Sequence, residues 1–559
     1  MNADAVPLHK ILSFNLQMII PIFQREYSWE WEEVSILWED ILKLYKNVYE
    51  SNIDTTHFLG PIVRVERPND SVDIERLWLI DGQQRIITLM VLLACIRNAD
   101  PALKGKIEFG YFFNQEEEGD DYYKLIPSEG DRDNFRAIID GDGKLNSGKL
   151  QDTFNYFTQV IAKSKDLDLE KLRGLILKKL ILVDISVDKN ENPYIIFESL
   201  NAKGTPLTQA DLIRNYIFMR IGDEKTQISL YNRYWRQMEI SLGKNLEYFF
   251  WRYTLKEGTF VKIKRTYANL KSELETQNTL YTEEELKKLH EYSSFYKKII
   301  EPEKETNTEL RRRLLRHNRW EIGTEYPFLL NIYKDYDKGA VTSEEFCELL
   351  DIIESFVIRR LLSAGYHTNK LNQLFIRLYS KLDHDNLIES LKKILYQDFP
   401  DDREFREGIK FYPIYSSGTK KCSMMLETLE YSIQHKEKEL KSKLQIEHVM
   451  PQAGGESEDL PDSWKNMLGS NYAEIHRKYL HTLGNLTLTG YNQELGQKSF
   501  KEKKEIYNSS KIDLNEYFNT IDDWNEEEIL KRSDIIADMA INIWKNINDN
   551  RSIDEWVEK

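Results

Sequence analysis

Apolar residues recur along this chain with two periods, and the change from one to the other marks its elements. In WEEVSILWEDILKLY (31–45), Val34, Leu37, Trp38, Ile41 and Leu44 fall on one face of a 3.6-residue spiral, which predicts an amphipathic helix. HFLGPIVRVER (57–67), RLWLI (76–80) and KKLILVDISV (178–187) are short runs rich in branched residues and read as strands. IITLMVLLACI (86–96) is apolar on every side, which predicts a helix buried all round. It is too short to cross a bilayer. PYIIFESLNAKGTPLTQADLIRNYIF (193–218) reads as apolar segment, glycine-containing loop and helix, with Thr208 as N-cap and Asp211 at the N3 position of a capping box.

Farther on, the helical period dominates. FCELLDIIESFVIRRLL (346–362) sets Leu349, Ile352, Ile353, Phe356 and Val357 on one face. Arg359 and Arg360 close that helix, where cations favour the dipole, and a solvated or ion-paired role is expected for them over a phosphate contact. A last helix around 525–546 buries Ile529, Ile536, Ala540 and Ile543. The texture divides the chain into a mixed part (1–225), a mainly helical connecting part (226–398) and a third part (399–559), an α+β multidomain protein.

Composition narrows this picture. A chain of 559 residues is too long for one core. With 41% hydrophobic and 30% charged residues it is an ordinary globular chain. The net charge of −16 counts against wide, non-specific coating of DNA, so any nucleic-acid contact must rest on local patches or a metal. Three distant cysteines without a CxxC argue against disulfides or a cysteine-based zinc site and fit a reducing compartment. No apolar leader with a cleavage site opens the sequence, so a cytoplasmic protein without a membrane segment is expected.

Candidate chemistry centres on IEHVMPQ (446–452). Phosphodiester hydrolysis needs a base to activate water, a cation for the growing charge and a scaffold that aligns them. If 444–449 is a strand, Glu447 and His448 point to opposite faces and can serve different roles. LGNLTLTGYNQ then supplies Asn485 and Asn492, with LTLT alternating like a short strand between them. Gly490 and Asn492 suit a turn into a helix that contains KSFKEKKEIY. A lone Glu–His pair is most often a surface pair. It is the combination with Pro451–Gln452 and the spaced asparagines that points to a strand–hairpin–helix metal site.

Nearer the start, LIDGQQRIITL (79–89) is strand, tight turn and helix. Gly82 permits the turn, and the free N–H groups at the helix start form an anion site. Arg85 can grip phosphate, and Asp81 can orient water or metal or simply cap the helix. IPIFQREYSWEWEEV (20–34) adds Gln24, Arg25, Tyr27 and Trp29, and the loop before 208 adds Asn201, Lys203 and Gly204. Aromatic rings beside arginine suit base stacking and phosphate contact, although Trp29 and Trp31 read equally as ordinary packing.

The motifs around His448 resemble an HNH nuclease of the DUF1524 type, a ββα-metal domain with flanking helices. That resemblance implies His448 as general base, Glu447 and Asn492 as metal-side residues for Mg²⁺ or Mn²⁺, Asn485 as the residue pinning the loop of His448, and Lys498 near phosphate on the following helix. Glu stands where Asp is usual, Asn492 where His is common, and the flanking cysteine pairs of some relatives are missing. The strings at 20–29, 81–85 and 197–207 resemble the DUF262 family, with a ParB- and sulfiredoxin-like α/β core. There, Asp81, Gly82, Gln83, Gln84, Arg85, Gln24, Arg25, Asn201 and Lys203 would bind a nucleoside triphosphate (GTP, UTP or ATP). Together the two resemble single-chain GmrSD-type type IV restriction enzymes. The resemblance implies anti-phage cleavage of modified DNA, such as glucosylated hydroxymethylcytosine or phosphorothioate DNA, linked to nucleotide hydrolysis. A homodimer would let two single-strand sites make a double-strand break. The competing readings are an RNA-cutting abortive-infection toxin and a sensing module whose HNH fold is silent.

Overall fold

The computed structural model describes residues 2–12, 15–67, 74–141, 143–187, 207–221, 223–276, 283–363, 369–433, 444–452 and 459–547. Its contacts divide the chain into two compact units, Met1–Glu247 with Ile263–His290, and Tyr248–Lys262 with Glu291–Lys559. The chain thus passes from one unit to the other three times.

The first unit carries a six-stranded mixed sheet. Its strands are β1 (Asn2–Pro7), β2 (Leu16–Ile19), β3 (His57–Glu66), β4 (Glu75–Asp81), β5 (Leu125–Ile126) and β6 (Leu180–Val187), in the order β1-β6-β3-β4-β2-β5. β3 runs parallel to β6, and β2 runs parallel to β4 and β5, while the β3–β4 and β1–β6 pairs are antiparallel. The three runs expected as strands are β3, β4 and β6. β1, β2 and β5 gave no signal, because NADAVP lies at the sheet edge without an apolar alternation and β5 has only two residues.

Helix α1 (Trp31–Tyr45) buries Val34, Leu37, Trp38, Ile41 and Leu44, the face its period predicts. Helix α2 (Gln83–Ala99) is buried along its whole apolar run, from Ile86 to Ile96. The Phe157 ring of α3 (Lys149–Lys163) meets Trp38 edge-on at 6.1 Å. Gly82 makes the turn from β4 to α2 with φ 90°, and a Cβ there would lie 2.5 Å from Ile62 Cγ2. Both the left-handed backbone and the close approach require glycine. The capping box of Thr208 and Asp211 opens α4 (Gln209–Phe218) as expected, whereas the segment and loop at 193–206 lie outside the described residues.

In the second unit we use α5 (Thr308–Arg319), α6 (Ser343–Leu362), α7 (Asp402–Phe411), α8 (Thr419–Ile433), α9 (Tyr472–Tyr479), α10 (Asn492–Leu495), α11 (Phe500–Asn508) and α12 (Glu526–Ile543). A two-stranded antiparallel sheet, β7 (Gln445–His448) with β8 (Leu486–Thr489), lies among them. Ile529, Ile536, Ala540 and Ile543 form the buried face of α12. Arg359 and Arg360 are not solvated at the end of α6. Both are buried, with Arg359 donating to the carbonyls of Trp544 and Pro400 and Arg360 to that of Asp398. Burial leaves those guanidinium groups to the carbonyls that close the neighbouring segments. The three cysteines are free and buried, and no helix among the described residues is long and apolar enough to cross a membrane.

Candidate functional site

β7 and β8 pair so that Glu447 faces Thr487 and His448 faces Leu486 across the ladder. Strand alternation sends the Glu447 and His448 side chains to opposite faces. On one face, Glu447 Oε1 lies 2.5 Å from Nζ of Lys503, a side chain of α11 that is 0% exposed. The same ammonium donates to the His448 carbonyl at 2.8 Å. Burial pushes the Glu447 carboxyl up and the Lys503 ammonium down, and the attraction between them opposes both shifts.

On the other face, His448 is 7% exposed. Its Nε2 is 3.1 Å from His481 Nδ1, and Gln452 Nε2 lies 3.1 Å from its Nδ1 and 3.2 Å from its Nε2. Tyr415 meets the His448 ring edge-on at 4.5 Å and stacks on the His481 ring at 5.4 Å. Burial first, then the neighbouring His481, Lys503 and His476, push the His448 pKa down to about 3. The ring is therefore neutral at neutral pH, the form in which an imidazole takes a proton.

Asn485 is buried and holds the chain just after His448. Its Oδ1 accepts from Met450 N at 2.8 Å and from Trp524 Nε1 at 3.1 Å, and its Nδ2 donates to the carbonyls of Met450 and Leu480, each at 3.0 Å. Arg532 of α12 supports the preceding turn, with Nη1 donating to the carbonyls of Leu483, Gly484 and Leu486 at 3.1, 2.8 and 2.8 Å. Gly484 fits there because a Cβ would stand 2.1 Å from Ser533 Oγ and 2.8 Å from the Ile529 carbonyl oxygen.

Lys498 was expected on the helix that follows. It is exposed and precedes that helix, since Ser499 caps α11 with Glu502 in a capping box and the helix starts at Phe500. Asn492 opens α10, and its side chain lies outside the described part of the structure. Among the described residues no group of three or more His, Cys, Asp or Glu gathers as a metal cage. A carboxylate with an amide oxygen is nonetheless the hard donor chemistry that Mg²⁺ or Mn²⁺ takes, so Glu447 and Asn492 fit such an ion by type.

In the first unit, Asp81 ends β4 and Gly82 leads into α2 without a side-chain cap. Burial pushes the Asp81 carboxyl up, against the pull of Arg85, the Gly82 N–H and Arg25. Burial likewise lowers Arg85, which donates through Nη1 to the Pro61 carbonyl beside the irregular stretch of β3 at Gly60. Gln84 turns the other way and holds the 26–28 segment, accepting from Ser28 N at 2.8 Å and donating to the Glu26 carbonyl at 3.3 Å. Gln83 Nε2 reaches Gln24 Oε1 at 3.4 Å, while Gln83 Oε1, Gln24 Nε2 and Arg25 Nε are buried without a hydrogen-bond partner. Asn215 of α4 leaves both side-chain polar atoms in the same state. The Arg25 charge also feels Asp211 and Arg214 of α4. Asn201 and Lys203 lie outside the described residues. Trp31, 72% exposed, and half-buried Trp29 line a cleft of about 380 Å³ with Tyr156, Lys149 and Asp152.

His481, Gln452, Lys503 and Arg532 were not singled out from the sequence. For Lys503 a signal existed, since it shares a helical face with Phe500 and Tyr507, and all three are buried.

Fold and sites define a protein of two units, one with a strand–glycine–helix anion site, the other with a neutral histidine and a clamped asparagine on a two-stranded sheet. Residues 8–218 match the family described as GmrSD restriction endonuclease, N-terminal domain, and residues 399–539 match GmrSD restriction endonucleases, C-terminal domain. The two domains follow one another on this chain, which supports its assignment to the GmrSD-type restriction enzymes and a restriction endonuclease role on DNA. A search of curated proteins gave no match.

Proposed function

We propose that the chain is a nucleotide-regulated, metal-dependent endonuclease that cleaves modified DNA in anti-phage defence. The observation that carries this reading is His448 itself, neutral, buried and fixed in place by the Asn485 clamp within the segment that matches a restriction endonuclease domain. An imidazole so held is a general base for water. β7, β8 and the helices after them are read as an HNH unit. Glu447 and Asn492 would hold the cation, which when bound would stabilise charge on the phosphate and the leaving oxygen. Lys503 now sits on Glu447 Oε1, so the cation would share or displace that ammonium. Lys498, exposed beside α11, would meet phosphate.

The first unit is read as a ParB- and sulfiredoxin-like core that binds a nucleoside triphosphate at residues 81–85. The uncapped first turn of α2 and the unpartnered polar atoms of Gln24, Gln83, Arg25 and Asn215 support this, because buried polar atoms without partners are costly until a ligand or water satisfies them. In this reading residues 1–225 sense, 226–398 connect and 399–559 cut.

The test is cleavage of phage DNA carrying glucosylated hydroxymethylcytosine beside unmodified DNA. Each is incubated with Mg²⁺, with and without nucleoside triphosphates, using the natural protein and His448→Ala. Selective cutting that His448→Ala abolishes is the expected result. Cutting by His448→Ala at the natural rate would remove the base from this reading.

A further inference from the structure

The geometry around His448 decides which of its two ring nitrogens can act. Nε2 faces His481 Nδ1 at 3.1 Å, and the nearest polar atom to Nδ1 is the Gln452 amide nitrogen, also at 3.1 Å. An amide nitrogen only donates. If Nδ1 carried the proton, two donors would face each other there, and the buried N–H would have no acceptor among the described residues. If Nε2 carries it, that N–H has the His481 Nδ1 lone pair as acceptor and Nδ1 accepts from Gln452. The second arrangement satisfies every hydrogen, and leaving a buried donor orphaned costs about 1–3 kcal/mol.

We propose that His481 is a positioning residue: its Nδ1 accepts the His448 Nε2–H and thereby leaves the His448 Nδ1 lone pair as the base. The inference rests on the reading of His448 as general base. The Gln452 N–H then stands where an attacking water would present its proton, and it yields that place to the water. When water attacks, its proton passes to His448 Nδ1 and its oxygen forms the bond to phosphorus as the bond to the leaving oxygen breaks. The ring becomes an imidazolium whose Nε2–H His481 still accepts. Tyr415, stacked on His481 and edge-on to His448, keeps the two rings nearly perpendicular at 78°. His481 has its own anchor, since Tyr415 N donates to its carbonyl at 3.3 Å.

Two measurements on the full chain test this. Long-range ¹H–¹⁵N spectra with ¹⁵N-labelled histidine, assigned by the signal lost in His448→Ala, read the tautomer directly. The expected result is His448 protonated at Nε2, becoming a mixture in His481→Phe. A His448 protonated at Nδ1, or a tautomer unchanged in His481→Phe, overturns the proposal whatever the protein cleaves. In the DNA cleavage assay, His481→Phe is expected to lower kcat about tenfold to a hundredfold with KM little changed, the usual scale for a residue that orients another. His481→Asn, whose Oδ1 can take the place of Nδ1, is expected to recover most of that loss. Equal losses in the two variants mean a packing role and overturn the proposal. Undiminished cleavage by His448→Ala would sink the nuclease reading instead, and the spectra would still decide the tautomer.

Discussion

Lys503 Nζ lies 2.5 Å from Glu447 Oε1 and 2.8 Å from the carbonyl oxygen of His448. One buried ammonium thus ties the carboxylate before the histidine to the backbone of the histidine itself. Removing one partner of a buried pair strands the other charge, so Lys503→Met is expected to cost about 3–5 kcal/mol in urea unfolding. The double change Glu447→Gln with Lys503→Met should recover part of it. If Glu447 also takes a divalent cation, Mg²⁺ or Mn²⁺ should raise the melting temperature of Lys503→Met more than that of the natural protein. A single variant as stable as the natural protein would mean the pair carries no weight.

Asn485→Ala removes four hydrogen bonds at once and leaves the Met450 N–H buried without its acceptor. A loss on the order of 3 kcal/mol is expected from several bonds of ordinary strength. Asn485→Asp should be no substitute, because it cannot donate to the Met450 and Leu480 carbonyls. Hydrogen exchange at the Met450 amide reports the change locally, and an unchanged rate in Asn485→Ala would contradict the clamp.

Gly484→Ala forces a methyl against Ser533 Oγ and the Ile529 carbonyl. Overpacking of this kind costs about 1–3 kcal/mol. Adding Ser533→Ala removes only the first clash, so stability should return in part. Full recovery in the double variant would show that the Ile529 backbone yields freely.

His317 of α5 gives the second unit a pH dependence. Its Nδ1 is 2.7 Å from Glu325 Oε1 and its Nε2 is 3.0 Å from the Leu350 carbonyl oxygen, both deeply buried. Burial alone would lower the histidine, but the Glu325 carboxylate overcomes it and raises its pKa. Burial also raises the Glu325 carboxyl. Both shifts make the folded pair hold a proton that the unfolded chain releases. Stability is therefore full below the unfolded histidine pKa of about 6.5 and falls as pH rises through the folded value. Urea midpoints from pH 6 to pH 9 should fall for the natural protein relative to His317→Gln. Parallel curves would refute the shared proton.

Gln24 is buried with its Nε2 unpartnered. Exchanging an unsatisfied polar side chain for an apolar one of similar size is close to neutral. Gln24→Leu should therefore match or exceed the natural melting temperature without ligand, yet lose the upward shift that a nucleoside triphosphate produces. A variant that keeps the whole shift would take Gln24 out of the nucleotide site.

Where local period dominates, the sequence was legible. The face of α1, the all-round apolar α2, the strand–Gly82–helix turn and the buried stripe of α12 follow from spacing alone. β7 and β8 were legible from the alternation at LTLT and the run before Pro451. The partners of the site residues were hidden, because they come from elements far away in sequence. Nothing local says that Lys503 will meet Glu447, that His481 will turn back to His448 or that Arg532 will hold three carbonyls. The same holds for Gln84, whose place in a glutamine pair beside Gly82 suggests a ligand contact although its amide goes to the 26–28 backbone. Edge strands such as β1 escape detection because their residues answer to solvent on one side.

The alternation of the chain between units bears on its birth. Synthesis runs from the N-terminus, and a domain closes only when all its parts have left the ribosome. The first unit still lacks Ile263–His290 when Glu247 emerges, and the first piece of the second unit, Tyr248–Lys262, appears before that return. The nascent sheet must therefore wait, with one end unfinished, while a segment destined for the other unit is made. Any cut of the gene at a single position between the two units leaves at least one of them incomplete.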